Sequence, residues 1–334
     1  MDLRQAQRQL TTDLTPLYGS REATLIADWV IEHLTGHKKI DRLTKPMEPL
    51  PDHLLRKYYI YRSELLAHRP VQYVLRESWF AGMRFYVDEN VLIPRPETEE
   101  LVQWVIETIG PALPSPHAVL PTPVPGPHAI LPTPSPVPGP HAVLPTPGPV
   151  PSPAGTPPAT PSTPSGPLLD VGTGSGCIAI TLARKFPALP IHACDISTGA
   201  LHVAGRNANT HNTAITFHHL DFLDPHAWTG FPSIQWLVSN PPYIPNAERP
   251  AMAPHVTGSE PAVALFVPDS DPLIFYRAIA GFSSRYLQPG GAAFVEIHEG
   301  MANPVAEVFR SHGASTVEIR KDLSGKDRMI KGNW

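Results

Sequence analysis

Leu168-Leu169-Asp170-Val171-Gly172-Thr173-Gly174-Ser175-Gly176 is the stretch that decides the fold. A short, mostly apolar run reads as a buried strand. Three glycines at alternate positions then turn the chain into a helix-patterned run that begins at Cys177. Glycine reaches backbone conformations closed to other residues and lets main chain approach a ligand closely. In open α/β sheets ligands bind beyond the carboxyl ends of the strands, where such a loop lies. The spacing is G-x-G-x-G, and Cys177 stands where a dinucleotide fingerprint would carry its last glycine. That departure favours a ligand without phosphates.

Downstream of this loop, residues 168–334 alternate apolar runs (LLDVG, PIHACD, ITFHHLD, IQWLVSN, GAAFVEI) with helix-patterned stretches such as CIAITLARKF and DPLIFYRAIAGFSSRYL. Such alternation implies a parallel sheet covered by helices on both faces. Lys321 to Arg328 reads as a charged turn before a final edge strand. Upstream, Leu25, Ile26, Trp29, Val30 and Leu34 recur at helical spacing, and so do Leu54, Leu55, Tyr58, Tyr59 and Leu65. Residues 1–70 are therefore expected to form a small helical domain. Between 71 and 95 the runs VQYVL, MRFYV and NVLI look β-like, with turn residues at Gly82 and Asp88-Glu89-Asn90, and predict a linking hairpin. Pro96 followed by Glu97, Glu99 and Glu100 suits a helix N-terminus and predicts a helix over 96–109. The main domain is expected over 96–334.

One segment breaks the pattern. Of 43 prolines, 22 fall between Pro111 and Pro167. They lie in a near-repeat with HAVLPTPVPGP at His117, HAILPTPSPVPGP at His128 and HAVLPTP at His141, spaced by 11 and 13 residues. Proline at every second or third position excludes helix and central strand. Residues 111–167 read as an extended, disordered insertion. The three repeat histidines lack a fixed geometry, so no metal site is expected.

The chain has 334 residues, 42% hydrophobic and 17% charged, with net charge −4. That balance argues against direct nucleic-acid binding. No run approaches the ~18 uninterrupted apolar residues of a membrane span, and MDLRQAQRQLTTDL lacks a signal peptide's apolar core. Two cysteines, Cys177 and Cys194, imply no disulfide framework. The expected setting is the cytoplasm, as a monomer.

Four motifs carry chemistry. The first is the glycine loop, Gly172 to Gly176. The second is Asp195, which ends the apolar run Ile191–Cys194; its carboxylate can accept both ribose hydroxyls of a nucleoside, or cap a helix before Ser197. The third is Asp221-Phe222, an acceptor for an exocyclic amino group beside a ring that packs on a base. The fourth is Ser239-Asn240-Pro241-Pro242-Tyr243, directly after Leu237-Val238. Its prolines stiffen the chain so that the Asn240 side chain and the Pro241 carbonyl can face one point. Together they accept the two hydrogens of a planar NH2 group, and Tyr243 packs on it.

In order and spacing these motifs resemble class I methyltransferases acting on exocyclic or amide nitrogens. Leu92-Ile93-Pro94-Arg95-Pro96-Glu97-Thr98-Glu99 further resembles the signature of the release factor glutamine methyltransferases. The resemblance covers nearly all the chain except 111–167. It implies an α/β fold with a Rossmann-like, mostly parallel sheet of about seven strands, and S-adenosyl-L-methionine as methyl donor. It also implies peptide chain release factors as partner and substrate, with methylation at the glutamine N5 of their Gly-Gly-Gln loop. By position, Gly172, Thr173, Gly174, Ser175 and Gly176 would bind the donor, Asp195 its ribose, and Asp221 with Phe222 its adenine. Asn240, Pro241, Pro242 and Tyr243 would hold the glutamine amide, with Asn240 also reaching the donor. Arg95, Pro96, Glu97 and Thr98 would line the site, and Glu260-Pro261 would sit beside it. The competing readings are an enzyme methylating a ribosomal-protein glutamine, a nucleic-acid adenine methyltransferase and a proline-rich scaffold.

Overall fold

The computed structural model describes residues 1–38, 40–41, 48–110, 166–252 and 254–334. All but the last two residues of the expected insertion lie outside the described residues.

The helix Leu3–Thr35 begins with a capping box, in which Asp2 accepts from the Gln5 amide while the Gln5 side chain accepts from Asp2. Gly19, at φ 74°, breaks it into two rods, and left-handed Gly36 ends it. Of the expected helical faces, Ile26, Val30, Leu34, Tyr58 and Leu65 are buried, whereas Leu25 and Tyr59 stand exposed at the margins of the contact. Val30, Ile31 and Leu34 pack with Leu10 and Leu14 against Tyr58 and Leu65 of the helix Asp52–Leu66. Tyr58 stays satisfied inside this core by donating its hydroxyl to the Ala6 carbonyl at 2.9 Å.

The linker departs from expectation. VQYVL is a one-turn helix, Val71–Leu75, closed by left-handed Arg76. Its β-branched residues suit a strand, but Val71, Val74 and Leu75 are on one helical side and complete the N-terminal core. Packing outweighs the propensity. The hairpin exists, but its strands are Ser78–Phe80 (β1) and Met83–Phe85 (β2), turning at Ala81-Gly82. NVLI is not a strand; it is a loop pinned by buried Val91 and Ile93.

Seven strands form the main sheet: β3 Leu168–Val171, β4 Ile191–Asp195, β5 Thr216–His219, β6 Ile234–Ser239, β9 Leu287–Glu296, β10 Thr316–Lys321 and β11 Asp327–Asn333. A short parallel pair, β7 Ile244–Pro245 and β8 Phe266–Val267, stands apart. The sheet order is β10-β11-β9-β6-β3-β4-β5. β11 is therefore not the expected edge strand: it lies antiparallel to both β9 and β10, and β10 is the edge. The burial pattern gives the reason. β10 is exposed at nearly every position, whereas β11 buries Met329 and Ile330.

β3 and β6 are buried at every residue, as strands covered on both faces must be. The helices Pro96–Ile109 and Cys177–Lys185 cover one face through Leu101, Val105, Ile178 and Ile180. Ile274–Tyr286 and Ala302–Ser311 cover the other through Tyr276, Ile279, Val305 and Phe309. From β3 the chain runs outward through β4 to β5 and then returns to β6 on β3's other side. That reversal opens a crevice above the ends of β3, β4 and β6. In register, Val171 lies opposite both Cys194 and Ser239, and Ser239 opposite Val295. The residues that follow these positions therefore converge on a single edge.

Candidate active site

Two cavities meet at that edge. One, of about 190 Å³, is lined by Gly172, Gly174, Asp195, Ile196, Asp221, Phe222, Pro242, Pro261 and Phe275, among others. The second, of about 220 Å³, is lined by Arg95, Tyr243, Ile244, Met252, Val256 and Leu265 among others. Leu92, Asn240, Pro241 and Ala264 belong to both, so they form the shared wall.

The glycine loop divides its labour. Gly172 and Gly174 reach the first cavity, have φ of 71° and 53°, and face open space where a Cβ would stand. Thr173, Ser175 and Gly176 do not line it. Thr173 donates to buried Asp170 at 2.7 Å. Gly176, at φ 80°, has a left-handed backbone, and a Cβ there would also lie 2.9 Å from Ile180 and 3.2 Å from Ala204, so that glycine serves the turn and its packing. The loop is further tied by Asn207, whose Nδ2 donates to the Ser175 and Tyr86 carbonyls, each at 2.9 Å.

Asp195 caps no helix, because Ser197 performs that role. Its two oxygens accept from the Gly174 and Ser197 amides, both at 2.9 Å, which fixes the carboxylate at the cavity mouth. Burial pushes its pKa up while these amides oppose the shift. Phe222 packs against Trp228 and Phe282, and Asp221 holds the turn by accepting from the Leu223 amide at 2.9 Å.

At the second cavity Asn240 Nδ2 donates to Thr98 Oγ1 at 2.9 Å, and Thr98 donates to Glu296 Oε2 at 2.7 Å. Tyr243 donates to Glu296 Oε1 at 3.0 Å. Burial pushes the Glu296 carboxyl up to about 7, against the Thr98 and Tyr243 hydroxyls that favour its ionised form. Arg95 reaches both oxygens of Glu260, at 2.7 and 2.8 Å, and the Glu260 side chain is only 1% exposed. Burial raises the Glu260 pKa, and Arg95 pulls it down. The β7–β8 pair secures this wall by joining the chain after Tyr243 to the chain after Glu260.

Not every expected residue reaches its expected place. Pro242 lines the first cavity and not the second. Pro96 and Glu97 line neither; Pro96 is the exposed first residue of its helix, where its fixed φ is useful. Thr98 is buried and lines neither cavity, and it meets the shared wall through its hydrogen bond from Asn240. Sequence reasoning missed Leu92, Asn207 and Glu296 as site residues. A signal for the last existed: a carboxylate ends the apolar run GAAFV as Asp195 ends Ile191–Cys194.

Cys177 and Cys194, beside the loop, are buried and free. Burial pushes the Cys177 thiol up to about 12 and raises Cys194 as well. Thiolate is the reactive form. Native protein at pH 8 is therefore expected to take up no iodoacetamide, and urea-unfolded protein two equivalents per chain. Alkylation of the folded chain, read by mass spectrometry, would contradict the assignment of both as core residues.

Among the described residues no group of three or more His, Cys, Asp or Glu could hold a metal ion, and no helix is long and apolar enough to cross a membrane.

Residues 3–75 match the family model described as PrmC N-terminal domain, and residues 158–255 the methyltransferase small domain. The release factor glutamine methyltransferase of Flavobacterium psychrophilum is 30% identical over 335 residues, covering 100% of both chains. That of Chlorobaculum tepidum is 33% identical over 315 residues, 92% of this chain and 90% of its own. The Bacteroides thetaiotaomicron enzyme of the same description is 32% identical over 269 residues, 80% of this chain and 77% of its own.

Proposed function

This chain belongs to the release factor glutamine methyltransferase family, and from that premise we propose that its two cavities seat the methyl donor and a release factor glutamine on either side of the Asn240–Pro241 wall. The carrying observation is that wall: the same two residues border both cavities. A group held in one is presented directly to a group held in the other.

The residues of the first cavity fit S-adenosyl-L-methionine. Gly172 and Gly174 leave room for close approach. Asp195 is a rigid carboxylate suited to two vicinal hydroxyls. Asp221 and Phe222 offer an acceptor and an aromatic face for adenine. Buried Asp170 also keeps one oxygen, Oδ1, without a hydrogen-bond partner beside the loop. Bound there, the donor supplies an electrophilic methyl group on a sulfonium, which needs no metal to activate it.

The acceptor is a weak nucleophile because an amide nitrogen shares its lone pair with the carbonyl. Asn240 Oδ1 and the Pro241 carbonyl accept its two N–H bonds and favour the pyramidal nitrogen of the transition state. Tyr243, fixed by Glu296, packs against the amide plane. Most of the rate then comes from positioning along the line of attack. The proton leaves an already acidic cationic product, so no dedicated base is assigned. Arg95 braces the cavity through Glu260, and the helices of residues 1–70 grip the partner. The enzyme is read as a cytoplasmic monomer with a protein, not a nucleic acid, as substrate.

The test is transfer of labelled methyl from S-adenosyl-L-methionine to purified release factor, wild type against a variant with its Gly-Gly-Gln glutamine replaced. Label on wild type alone is expected. Label on neither, with donor binding intact, would redirect the search to another glutamine-bearing protein such as a ribosomal protein.

A further inference from the structure

Asn240 can present either of two atoms to the acceptor cavity. An asparagine amide is nearly symmetric in shape, yet its oxygen accepts and its nitrogen donates. Facing an NH2 group, the wrong orientation sets donor against donor. Two prolines following Asn240 stiffen its backbone but leave the rotation of its side-chain amide free. Something outside the tetrad must choose.

We propose that Glu296 is a positioning residue that, through the Thr98 hydroxyl, sets the Asn240 amide with Oδ1 toward the acceptor. The inference rests on the proposed reading of Asn240 as the residue that accepts from the substrate amide. The argument is one of hydrogen-bond direction. A carboxylate can only accept, so the 2.7 Å contact to Glu296 Oε2 uses the single proton of Thr98. Thr98 Oγ1 can then only accept from its other neighbour, 2.9 Å away, and the only atom of Asn240 able to donate is Nδ2. With Nδ2 committed, Oδ1 remains for the cavity. The other oxygen of Glu296 takes the Tyr243 hydroxyl at 3.0 Å, so one carboxylate orients both polar side chains of the tetrad.

The device depends on charge state. A protonated Glu296 can donate to Thr98, whose hydroxyl is then free to donate to Oδ1 and turn the amide over. The groups that bear on this carboxyl are few. Thr98 and Tyr243 touch it, Arg328 on β11 favours its ionised form, and Glu97 opposes it. Tyr276 donates instead to the Glu296 backbone carbonyl, at 3.1 Å. Burial holds the carboxyl up to about 7, inside the working range of pH. The ordered state is therefore present above that value and lost as pH falls through it.

Two measurements on the full chain test the relay. The first needs no substrate: the Asn240 side-chain amide signal, assigned by its loss in Asn240→Ala, is followed by ¹⁵N NMR against pH. It is expected to shift with a midpoint near 7 in wild type and to be flat in Glu296→Gln and in Thr98→Val. The second is turnover on release factor at saturating donor. Thr98→Val, which keeps shape but loses the hydroxyl, is expected to lower kcat about tenfold or more with donor Kd unchanged, while Thr98→Ser stays within about threefold of wild type. A Thr98→Val enzyme as fast as wild type, or an Asn240 signal that titrates unchanged in Glu296→Gln, would overturn the relay. A wild type that shows the titration but leaves release factor unlabelled would instead remove the substrate reading and leave the relay standing.

Discussion

Asn240→Ala is expected to lower kcat for methyl transfer by about 100-fold or more, the scale seen when one preorganised polar contact to a transition state is removed. The substitution deletes the side-chain acceptor and leaves the Pro241 carbonyl to hold the amide alone. Donor affinity is expected to stay within about threefold, because the first cavity keeps Asp195, Asp221, Phe222 and the glycine loop. The fold should persist too. Asn240 is only half-buried, and its one side-chain hydrogen bond among the described residues, to Thr98, leaves behind a hydroxyl still bonded to Glu296. Single-turnover rates and calorimetric donor binding read the two effects separately. Full turnover at unchanged donor affinity would sink the role given to Asn240.

Arg95→Ala is expected to cost stability on a scale few other surface-reaching positions match. Glu260 is buried, and Arg95 is its only basic partner within ion-pair distance among the described residues. Removing one member of such a pair typically costs about 3–5 kcal/mol, because the remaining charge stays out of water. The loss should depend on pH, with a definite sign. Without Arg95 the folded-state pKa of Glu260, already raised by burial, climbs further above its unfolded value. The folded protein then keeps a proton that the unfolded chain releases, so stability falls as pH rises above the ordinary carboxylate range. Urea midpoints at pH 5 and pH 8 should therefore differ far more for Arg95→Ala than for wild type. An equal loss at both pH values would show that Arg95 acts through packing and not through charge. Activity should fall as well, since Arg95 lines the acceptor cavity.

Much of this architecture is legible in the order of residues because local and tertiary demands agree. β3 and β6 are mostly apolar in a place where both faces are covered, and the turn after β3 carries glycine at each left-handed position. Asn240-Pro241-Pro242-Tyr243 is rigid through its own covalent structure, so its meaning survives without neighbours. Elsewhere the neighbours decide. VQYVL has the composition of a strand and becomes a helix because the N-terminal core lacks one turn. β11 looks terminal and therefore marginal, yet it is inserted between β9 and β10. Pro242 lines the first cavity alone, although Pro241 before it borders both and Tyr243 after it only the second, a division that the tetrad's order does not reveal. Glu296 was the hardest to foresee. Its partners Thr98 and Tyr243 lie 198 and 53 residues away, and only the sheet brings them together.

The ends that flank the proline-rich stretch have a consequence for how this protein could be altered. The helix Pro96–Ile109 starts at the active edge with Thr98 and stops at Ile109, and the chain rejoins the sheet at Leu168, the entry end of β3, opposite the edge where Gly172 begins. Gly166 packs there against Gln235 and Gln288 on the same far side. Both anchorage points are thus a full strand length from the cavities, on segments whose site-facing residues lie at their other ends. The junction is a port: cargo spliced there, or sequence exchanged there, is expected to leave the residues that line the two cavities in place.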